Sequence, residues 1–490
     1  MFVAMVLRLT VAVPVLQYHG GPRRSGLYTE PALAPAALAS LHRDPAFDGT
    51  VEGHVYAQPL YLPGRPGDRL IVATESDVVE ALDSRTGLPV WKRKLGEPVP
   101  RERLPCGDID PLGITGTPVA SPDGRVVYLD AMVTPDGGRT KRHLVFALSS
   151  EDGRTLPGWP IDVGAALRGL GLGFVTAAQN QRSALALSGD TLAVVYGGHF
   201  GDCGDYHGVV VTLSVAPPGQ VKAWEVPARG GGMWAPGGPA VADASLFVST
   251  GNTFGAERWA FGEAVLRFSL EAFGSRPVDS FAPADWKDLD DSDRDLGGSG
   301  PLPFELDGRR LLAAFGKDGD VYLLDRSRLG GIGGELSHLH AATNHGGFRT
   351  AGAAFRDGDG ETLVLNGRGA GCPQGQSGDL VAVRVESGSP PTLRVAWCAD
   401  SHGRPPPGGS PIVTSPDGRS GFVVWNTGAE GDDRLHAFDG RTGAVLFDGG
   451  GAAEQMGEVR RFQTPLAASG RVFVAGDGRV YAFTPSSPRR

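Results

Sequence analysis

This chain of 490 residues contains 41% hydrophobic and 21% charged residues, a composition that excludes a disordered protein. Its net charge of −9, without any basic cluster, argues against nucleic acid or an anionic membrane surface as a partner. No segment reaches the roughly 20 apolar residues of a membrane-spanning helix.

The N-terminal run MFVAMVLRLTVAVPVL is apolar and resembles a signal peptide. However, no basic residue precedes it, Arg8 interrupts it, and no small-residue cleavage site follows. An irregular N-terminal strand, a mis-assigned start and the remnant of a signal segment are therefore all open interpretations. The four cysteines leave the compartment open too, because they permit two disulfides or four thiols.

One pattern recurs along the chain and predicts a repeat protein. It is clearest as ALDSRTGLPVW from Ala81 and returns as AFDGRTGAVLF from Ala437. Weaker copies begin at Ala147, Leu323 and Ala482. In the first copy an apolar strand enters a turn, where Asp83 can bond backbone amides and Gly87 can adopt positive φ. The aromatic residue that follows is expected to pack outward. Recurrence about every 40 to 50 residues, with several short strands per unit, is typical of β-propeller blades.

Counting strands predicts an all-β, eight-bladed β-propeller with four-stranded blades, labelled A to D. The second strand of each blade reads, in order, LIVAT, VVYLD, LAVVY, LFVST, LLAAF, LVLNG, FVVW and VFVAG. Strand A often begins with a small or polar residue and proline, as in QPLY, TPVA, GPAV, GPLP, SPIV and TPLA. The last unit ends after strand C, so DPAFDGTVEG from Asp44 is expected to supply its strand D and close the ring. Residues 1–43 are then an N-terminal extension, and residues 44–490 form a single propeller domain.

Blade topology predicts which loops carry function. The B–C and D–A loops share one face, called here the upper face, and the shorter A–B and C–D turns share the lower face. Long loops on a rigid scaffold commonly carry binding residues. The long loops assigned to the upper face are 97–115, 164–182, 200–206, 229–237, 253–262, 283–299, 342–350, 369–377 and 400–409.

The loop HFGDCGDYH in the third blade is the richest in donor groups. His199, Cys203 and His207 could converge on a transition metal, since imidazole and thiolate suit copper, iron or zinc. Alternatively, the loop is a turn whose carboxylates cap backbone amides. His54, His345 and His402 map to the same face, and any of them could complete a metal site.

Without a metal, the same loop could provide acid and base groups. A pair of His199 with Asp202, or of His207 with Asp205, would raise imidazole basicity and select one tautomer. His199, Asp202 and His207 are accordingly the candidate catalytic residues.

A second set of side chains is predicted to line a central funnel that holds an anionic or aromatic small molecule. The candidate cofactor- or ligand-binding residues are Tyr56, Gln58, Arg182, Tyr206 and Trp234. For Trp234, in GGGMWAPGG, a role in packing between blades is an equal alternative.

Two further groups have structural interpretations. The acidic run WKDLDDSDRDLGG from Trp286 has the D-x-D spacing of a calcium loop without its glycine and terminal glutamate, so it is interpreted as a solvated loop. Cys372 and Cys398 fall in one blade on the upper face, where a disulfide is plausible. Cys106 and Cys203 could pair likewise, which would remove Cys203 from any metal site and favour an oxidising compartment.

Taken together, these motifs resemble the eight-bladed quinoprotein alcohol dehydrogenase-like propellers over nearly the whole chain. The pattern A-x-D-x-x-T-G-x-x-x-W of those propellers is met in full from Ala81 to Trp91. Within that group the chain is most similar to a secreted branch of repeat proteins that resemble those binding pyrroloquinoline quinone (PQQ). The similarity is carried by YHGGPRRSGL, HVYAQPLY, CGDIDPLGITGTPV, YHG and DLGGSGPL, which begin at Tyr18, His54, Cys106, Tyr206 and Asp295.

The resemblance implies a propeller in the periplasm or outside the cell, but not a quinone site. Quinoprotein alcohol dehydrogenases use a vicinal Cys-Cys pair, a bound Ca²⁺ and a catalytic aspartate. This sequence has no adjacent cysteines, and we therefore expect it not to bind PQQ.

Two functions follow: a metal-dependent or oxidoreductase-like enzyme that uses the His199–His207 loop, and a non-catalytic propeller that binds a ligand or a protein. In either case we expect a monomer.

Overall fold

The computed structural model describes residues 13–64, 66–343, 345–404 and 408–486, and it forms a ring of eight sheets. Each sheet is one four-stranded antiparallel blade, with strand A innermost, so the predicted fold class is confirmed. The strands A to D are Leu60–Leu62, Arg69–Ala73, Val78–Asp83 and Pro89–Lys94 in blade 1; Val119–Ala120, Val126–Thr134, Arg142–Ser149 and Ile161–Asp162 in blade 2; Ala186–Ser188, Thr191–Gly198, Val209–Val215 and Pro218–Glu225 in blade 3; and Ala240–Ala242, Ser245–Thr250, Ala264–Ser269 and Asp279–Ala282 in blade 4.

The second half of the ring repeats this pattern. Its strands are Leu302–Leu306, Arg309–Phe315, Asp320–Asp325 and Ser337–His340 in blade 5; Ala353–Asp357, Gly360–Asn366, Leu380–Glu386 and Thr392–Ala399 in blade 6; Ile412–Ser415, Val423–Thr427, Leu435–Asp439 and Val445–Asp448 in blade 7; and Leu466–Ala468, Arg471–Gly476, Arg479–Pro485 and Leu41–Arg43 in blade 8. Short strands Glu97–Pro98, Gln179–Asn180 and Gly331–Ile332 extend blades 2, 3 and 4.

Helical segments are short and lie in the connections. The α-helices are Val163–Gly169 and Trp286–Asp291, and the 3₁₀ turns are Tyr18–Gly20, Pro31–Leu33, Pro35–Ser40, Arg101–Arg103, Thr176–Ala178, Leu296–Gly298 and Ala452–Glu454. Within the described ranges, no helix has the length and apolar character needed to cross a membrane.

The hydrophobic core lies between neighbouring blades. Strand B of blade 3 shows why its sequence, LAVVY, is continuously apolar. Leu192, Val194 and Tyr196 pack with residues of blade 2, whereas Ala193 and Val195 pack with residues of blade 4. Because side chains alternate along a strand and both faces of a blade are covered, both sets must be apolar.

The recurring turn joins strands C and D as predicted. In blade 1 the Asp83 carboxylate accepts hydrogen bonds from the backbone amides of Arg85 and Thr86 and from the Thr86 hydroxyl, and Gly87 has φ +72°. The prediction that the following aromatic packs outward is wrong. The indole of Trp91 is buried against blade 2, where its Nε1 donates to the Ser150 carbonyl at 2.9 Å.

The ring is closed by an N-terminal strand, as predicted, and this strand begins just before the predicted segment. Leu41–Arg43 pairs antiparallel with Arg479–Pro485, and the segment from Asp44 continues alongside the same strand, where the Asp44 amide donates to the Ala482 carbonyl and Thr50 forms a bridge to Arg479. Leu41–Arg43, within the predicted 1–43 extension, belongs to blade 8, and the division of the chain into that extension and a 44–490 propeller domain stays a prediction.

A segment still closer to the N-terminus runs around the central channel. We call residues 15–30 the channel segment. It includes strand Leu27–Thr29, which pairs in parallel with strand A of blade 7. The channel segment contacts the inner strand of every blade, or the turn that follows it, in the order of the chain. The contacting pairs are Val15 with Tyr61, Leu16 with Ala120, Gln17 with Leu187, Pro22 with Val241, Arg23 with Glu305, Ser25 with Ala354, Gly26 with Val413 and Glu30 with Ser469.

The charged groups of the channel segment are well satisfied, although Nε2 of His19 is buried without a partner among the described residues. The buried Arg24 guanidinium donates to the carbonyls of Pro239, Tyr18 and Leu185 at 3.1, 3.2 and 2.8 Å. The Glu30 carboxylate accepts from the amides of Ser469 and Gly470, in the lower A–B turn of blade 8. The lower half of the channel is therefore filled by the chain itself. Of the apolar N-terminal run, residues 1–12 lie outside the described residues, and Val15 forms an antiparallel bridge to Tyr61.

Candidate functional site

The side chains of the upper channel follow a register set by the inner strands. The residue two positions before each strand A forms a lower layer of small or polar groups around the channel segment. This layer comprises Gln58, Thr117, Ala184, Gly238, Gly300, Ala351, Ser410 and Thr464. Tyr18 packs on Ala184 and Ala351, and its hydroxyl lies 2.8 Å from the Thr464 hydroxyl, so its ring forms the floor of the upper channel.

The residue four positions before each strand A forms a second, higher layer, which we call the funnel ring. It comprises Tyr56, Thr115, Arg182, Pro236, Gly298, Arg349, Gly408 and Phe462. A small cavity of about 10 Å³, roughly the room for one water molecule, is lined by five of these residues together with Tyr18 and Thr117. The alternation by two residues is that of extended chain, which sends every second side chain towards the axis.

The Arg182 side chain extends from blade 3 towards Phe462, the funnel-ring residue of blade 8. The carbon at the centre of its guanidinium lies 6.0 Å from the centre of the Trp234 ring and 5.4 Å from that of Phe462. It lines both the central cavity and a neighbouring one of about 10 Å³ that His199 and Asp108 also line. Its buried Nε has no hydrogen-bond partner among the described residues. Burial lowers the pKa of this guanidinium from its ordinary value, which marks a desolvated cation.

Arg349 is a second cation in the funnel ring. Its Nε is also buried without a partner in the described part of the chain, and burial lowers its pKa as well. A Cβ built on Gly298 would lie 3.1 Å from Trp234 Cη2 and 3.4 Å from Arg349 Cα, so the edge of the indole ring lies beside this arginine. The backbone of Arg349 therefore lies near the tryptophan that the Arg182 guanidinium approaches.

Other charges around the funnel are paired. Lys317 Nζ lies 2.7 Å from both Asp293 and Asp295 and 5.3 Å from the Trp234 ring centre. Burial lowers the lysine pKa, but the two carboxylates outweigh burial and the net shift is upward. Arg461 lies 2.8 Å from Glu430 and 3.4 Å from Asp108.

Glu75 is buried, and burial raises its pKa to about 7 although Arg182 opposes the shift.

Of the residues predicted to line the funnel, the structure brings Tyr56, Arg182 and Trp234 together. Gln58 and Tyr206 have other roles. The Gln58 amide accepts from the His19 backbone N–H and donates to the Pro465 carbonyl, which ties the channel segment to blade 8. The Tyr206 hydroxyl donates to Asp202 at 2.5 Å within its own loop.

The predicted metal set His199, Cys203 and His207 is not assembled in this structure. Cys203 is disulfide-bonded to Cys106, with their Cα atoms 5.9 Å apart, and this pairing removes the thiolate that the metal set requires. His199 Nε2 lies 3.1 Å from the Ala177 carbonyl, and His207 Nδ1 lies 2.8 Å from the Val226 carbonyl. Cys372 and Cys398 form the second predicted disulfide, with their Cα atoms 5.6 Å apart.

The predicted histidine–aspartate pairs are not formed as hydrogen bonds in the described residues. Asp202 accepts from Tyr206 rather than from His199, and the closest nitrogen-to-oxygen distance between His207 and Asp205 is 3.7 Å. Burial lowers the pKa of His199 to about 4, so its imidazole is neutral at physiological pH. With Nε2 facing a carbonyl, Nδ1 is left as an acceptor beside the cavity that Arg182 lines.

The acidic run from Trp286 differs from the predicted solvated loop. Trp286–Asp291 is a helix, and Asp290 is buried, where its carboxylate accepts from the backbone amide and hydroxyl of Thr253. Asp293 pairs with Lys317. These carboxylates hold loops together, and no calcium-like group of three donors includes them within the described residues.

Sequence reasoning missed Thr115, Pro236, Arg349 and Phe462 in the funnel ring. A usable signal was present, because Tyr56 and Arg182 had been identified and both stand four residues before a strand A. Applying that offset to every blade would have identified the remaining members.

The residues around Trp234 do not fit the quinone cofactor of the quinoprotein alcohol dehydrogenases that the sequence resembles. A tricyclic quinone needs an open aromatic face to stack on, yet Arg182 and Lys317 approach this ring to 6.0 and 5.3 Å. Neither disulfide is the bond between adjacent cysteines that those dehydrogenases use, because the paired cysteines are 97 and 26 residues apart in the sequence.

Comparisons with known proteins support the fold. No protein-family model and no curated protein matches the sequence. Among solved structures, the chain is similar to quinohemoprotein alcohol dehydrogenase ADHIIG from Pseudomonas putida HK5, with a TM-score of 0.64 and 12% identity over 98% of this chain and 82% of that one. It is also similar to the quinohemoprotein alcohol dehydrogenase from Comamonas testosteroni, with a TM-score of 0.62 and 15% identity over 98% of this chain and 81% of that one. A europium-containing methanol dehydrogenase matches with a TM-score of 0.60 and 13% identity over 95% of this chain and 90% of that one. The chain thus has the eight-bladed propeller fold of the quinoprotein alcohol dehydrogenases.

Proposed function

We propose that this propeller binds a small carboxylate-bearing molecule in its upper funnel. The observation that carries the proposal is the pair Arg182 and Arg349, whose buried Nε atoms have no acceptor among the described residues. An unpaired, desolvated guanidinium destabilises a fold by roughly 1–3 kcal/mol or more, unless a ligand or water accepts its hydrogen bonds. A carboxylate matches the planar fork of a guanidinium group.

The neighbouring rings favour a ligand with a flat or apolar body. Trp234 and Phe462 flank Arg182, and Tyr56 and Tyr18 line the same cavity. An apolar lining with a few polar groups that point inward is the composition of small-molecule sites, and this cavity of about 10 Å³ must widen to admit such a ligand. An anion with an aromatic ring would pair with the guanidinium groups and pack on these side chains.

The test compares anion-induced stabilisation in wild type and three variants. Benzoate, succinate and inorganic phosphate are added during thermal unfolding and in calorimetric titrations. Benzoate or succinate is expected to raise the wild-type Tm, since a ligand at 100 times its Kd stabilises by about 2.7 kcal/mol. Arg182→Gln and Arg349→Gln should lose this shift.

The matched control is Arg368→Gln, an exposed arginine in an upper loop of blade 6. This variant should bind as wild type does. The proposal fails if none of the three anions stabilises the wild type, or if the two funnel variants respond as the control does.

The alternative is an enzyme in which His199, Asp202 and His207 act on the bound molecule, with or without a metal. The observation that favours it is the position of His199 beside the cavity that Arg182 lines. Its pKa of about 4 favours hydrogen bonding over proton transfer near neutral pH, because a general base works best with a pKa near the working pH. Loss of turnover in His199→Ala with anion binding retained would support the enzyme.

We also propose that the protein works as a monomer in an oxidising compartment, the periplasm or the exterior. The two disulfides support this localisation, because such bonds persist where thiols are not kept reduced. Protein purified from that compartment and denatured without reductant should show no reactive thiol, and four reactive thiols would contradict the proposal.

A further inference from the structure

We infer that blade 7 carries a site for a divalent transition-metal ion, formed by His402, His436 and Asp448. This inference does not depend on the funnel ligand. His436 is the second residue of strand C, and it stands directly opposite Asp448, the last residue of strand D. His402 comes from the loop that leads from blade 6 into blade 7. All three residues therefore lie on the upper face.

The donor atoms already have the spacing of one coordination shell. Asp448 Oδ1 lies 3.2 Å from His436 Nδ1 and 3.5 Å from His402 Nε2. The three donor atoms all lie within 4.8 Å of one another. Zinc ligands lie about 2.0–2.2 Å from the ion, so neighbouring corners of a tetrahedral site are roughly 3.3 Å apart. Metal can therefore enter with little movement of the backbone.

Each histidine also has a carboxylate near its other ring nitrogen. Asp432 lies 3.0 Å from His436 Nε2, and Asp400 lies 3.8 Å from His402 Nδ1. Histidine ligands of metals almost always donate their second N–H to such a group, which orients the ring and selects the tautomer. A simple ion pair between histidine and aspartate at a protein surface does not need a second carboxylate near the other ring nitrogen of each histidine.

Burial divides the site into an anchored side and an open side. The His436 side chain is 1% exposed, whereas those of His402 and Asp448 are 48% and 63% exposed. Three protein ligands with one side open to solvent leave a coordination position for water or another small ligand. Two imidazoles and a carboxylate suit zinc, cobalt, nickel or ferrous iron better than calcium or magnesium.

Blade 5 provides a natural control at the equivalent position. There, Asp320 begins strand C and pairs in register with His340, which ends strand D, and the two side chains are 2.7 Å apart. Among the described residues no second histidine joins this pair in a group of three donors. A single histidine and a single carboxylate at the same place on the fold should not hold a metal.

The test is titration of the chelator-treated full chain with Zn²⁺ and Co²⁺. One ion should bind per chain, with a cobalt absorption spectrum of low-coordinate nitrogen and oxygen ligation. Both disulfides intact leave no thiol among the four cysteines to compete for the metal. Asp432→Asn, behind a ligand, should weaken binding about 10–100-fold, and His402→Ala and Asp448→Ala should weaken it more.

His402 and Asp448 are exposed, so these two variants should fold as wild type does, which circular dichroism and Tm will verify. His340→Ala should retain full affinity. The inference is overturned if wild type does not bind one equivalent, if His402→Ala and Asp448→Ala bind as tightly as wild type, or if His340→Ala loses as much affinity as they do.

Discussion

The two halves of the central channel differ in how their buried polar groups are satisfied. In the lower half, the channel segment contacts all eight blades, and Arg24 donates to three carbonyls. In the upper half, Arg182 and Arg349 are half-buried, and the buried Nε of each has no acceptor among the described residues. A satisfied cation stabilises the fold, whereas an unsatisfied one is retained for something that binds to it. This difference supports our proposal that the upper half binds a ligand, whereas the lower half has a structural role.

The largest expected effect is in the lower half. Arg24→Ala should destabilise the protein by about 3–5 kcal/mol, because it leaves buried carbonyls without their donor. The matched variant Arg182→Ala should leave stability unchanged or raise it, since it removes a desolvated charge that has no partner. Urea unfolding of both variants measures the difference. Equal losses would contradict the division between the two halves.

The next largest effect on stability is expected from removing a disulfide. It should act mainly on the upper face, where both disulfides are located. Cys372→Ser with Cys398→Ser removes a loop closure of 26 residues and should lower stability by about 2–4 kcal/mol. Hydrogen exchange is expected to rise in the upper loops of blade 6 and to remain low in the channel segment. Increased exchange of the channel segment would show that the two halves unfold together.

A smaller effect is expected from the buried acid Glu75. Burial raises its pKa from 4.5 to about 7, so the folded protein holds a proton that the unfolded chain releases. The associated stability is complete below pH 4.5 and is lost as the pH rises from 4.5 to 7. Glu75→Gln should flatten this decline in urea midpoints. An unchanged pH dependence would mean that Glu75 is ionised in the folded protein.

The smallest expected effect concerns coupling across the upper funnel. Arg182 lowers the pKa of Glu75, although less strongly than burial raises it. Arg182→Gln should therefore move the Glu75 pKa further upward, and a bound carboxylate should shift it in the same direction by neutralising the guanidinium. The carboxyl resonance of Glu75 followed by NMR against pH measures both shifts. An unchanged Glu75 pKa in Arg182→Gln would show that the two groups are not electrostatically coupled.

The sequence alone determined the fold and its repeat. Apolar strand B segments and the Asp-x-x-Thr-Gly turn are local signals, because side-chain alternation and positive φ are decided by residues next to each other in the chain. Even the closure by an N-terminal strand could be predicted from the missing fourth strand of the last unit, although the regular strand is Leu41–Arg43, immediately before the predicted segment from Asp44.

Only the tertiary structure decided which polar residues meet. Gln58 and Arg182 both precede an inner strand, but they differ by two positions in register: one layer faces the channel segment and the other faces the open funnel. Likewise, His436 and Asp448 meet across two paired strands, and a loop from the preceding blade adds His402. Such meetings depend on ring closure and on which buried groups find partners, and these are properties of the whole chain rather than of any one motif.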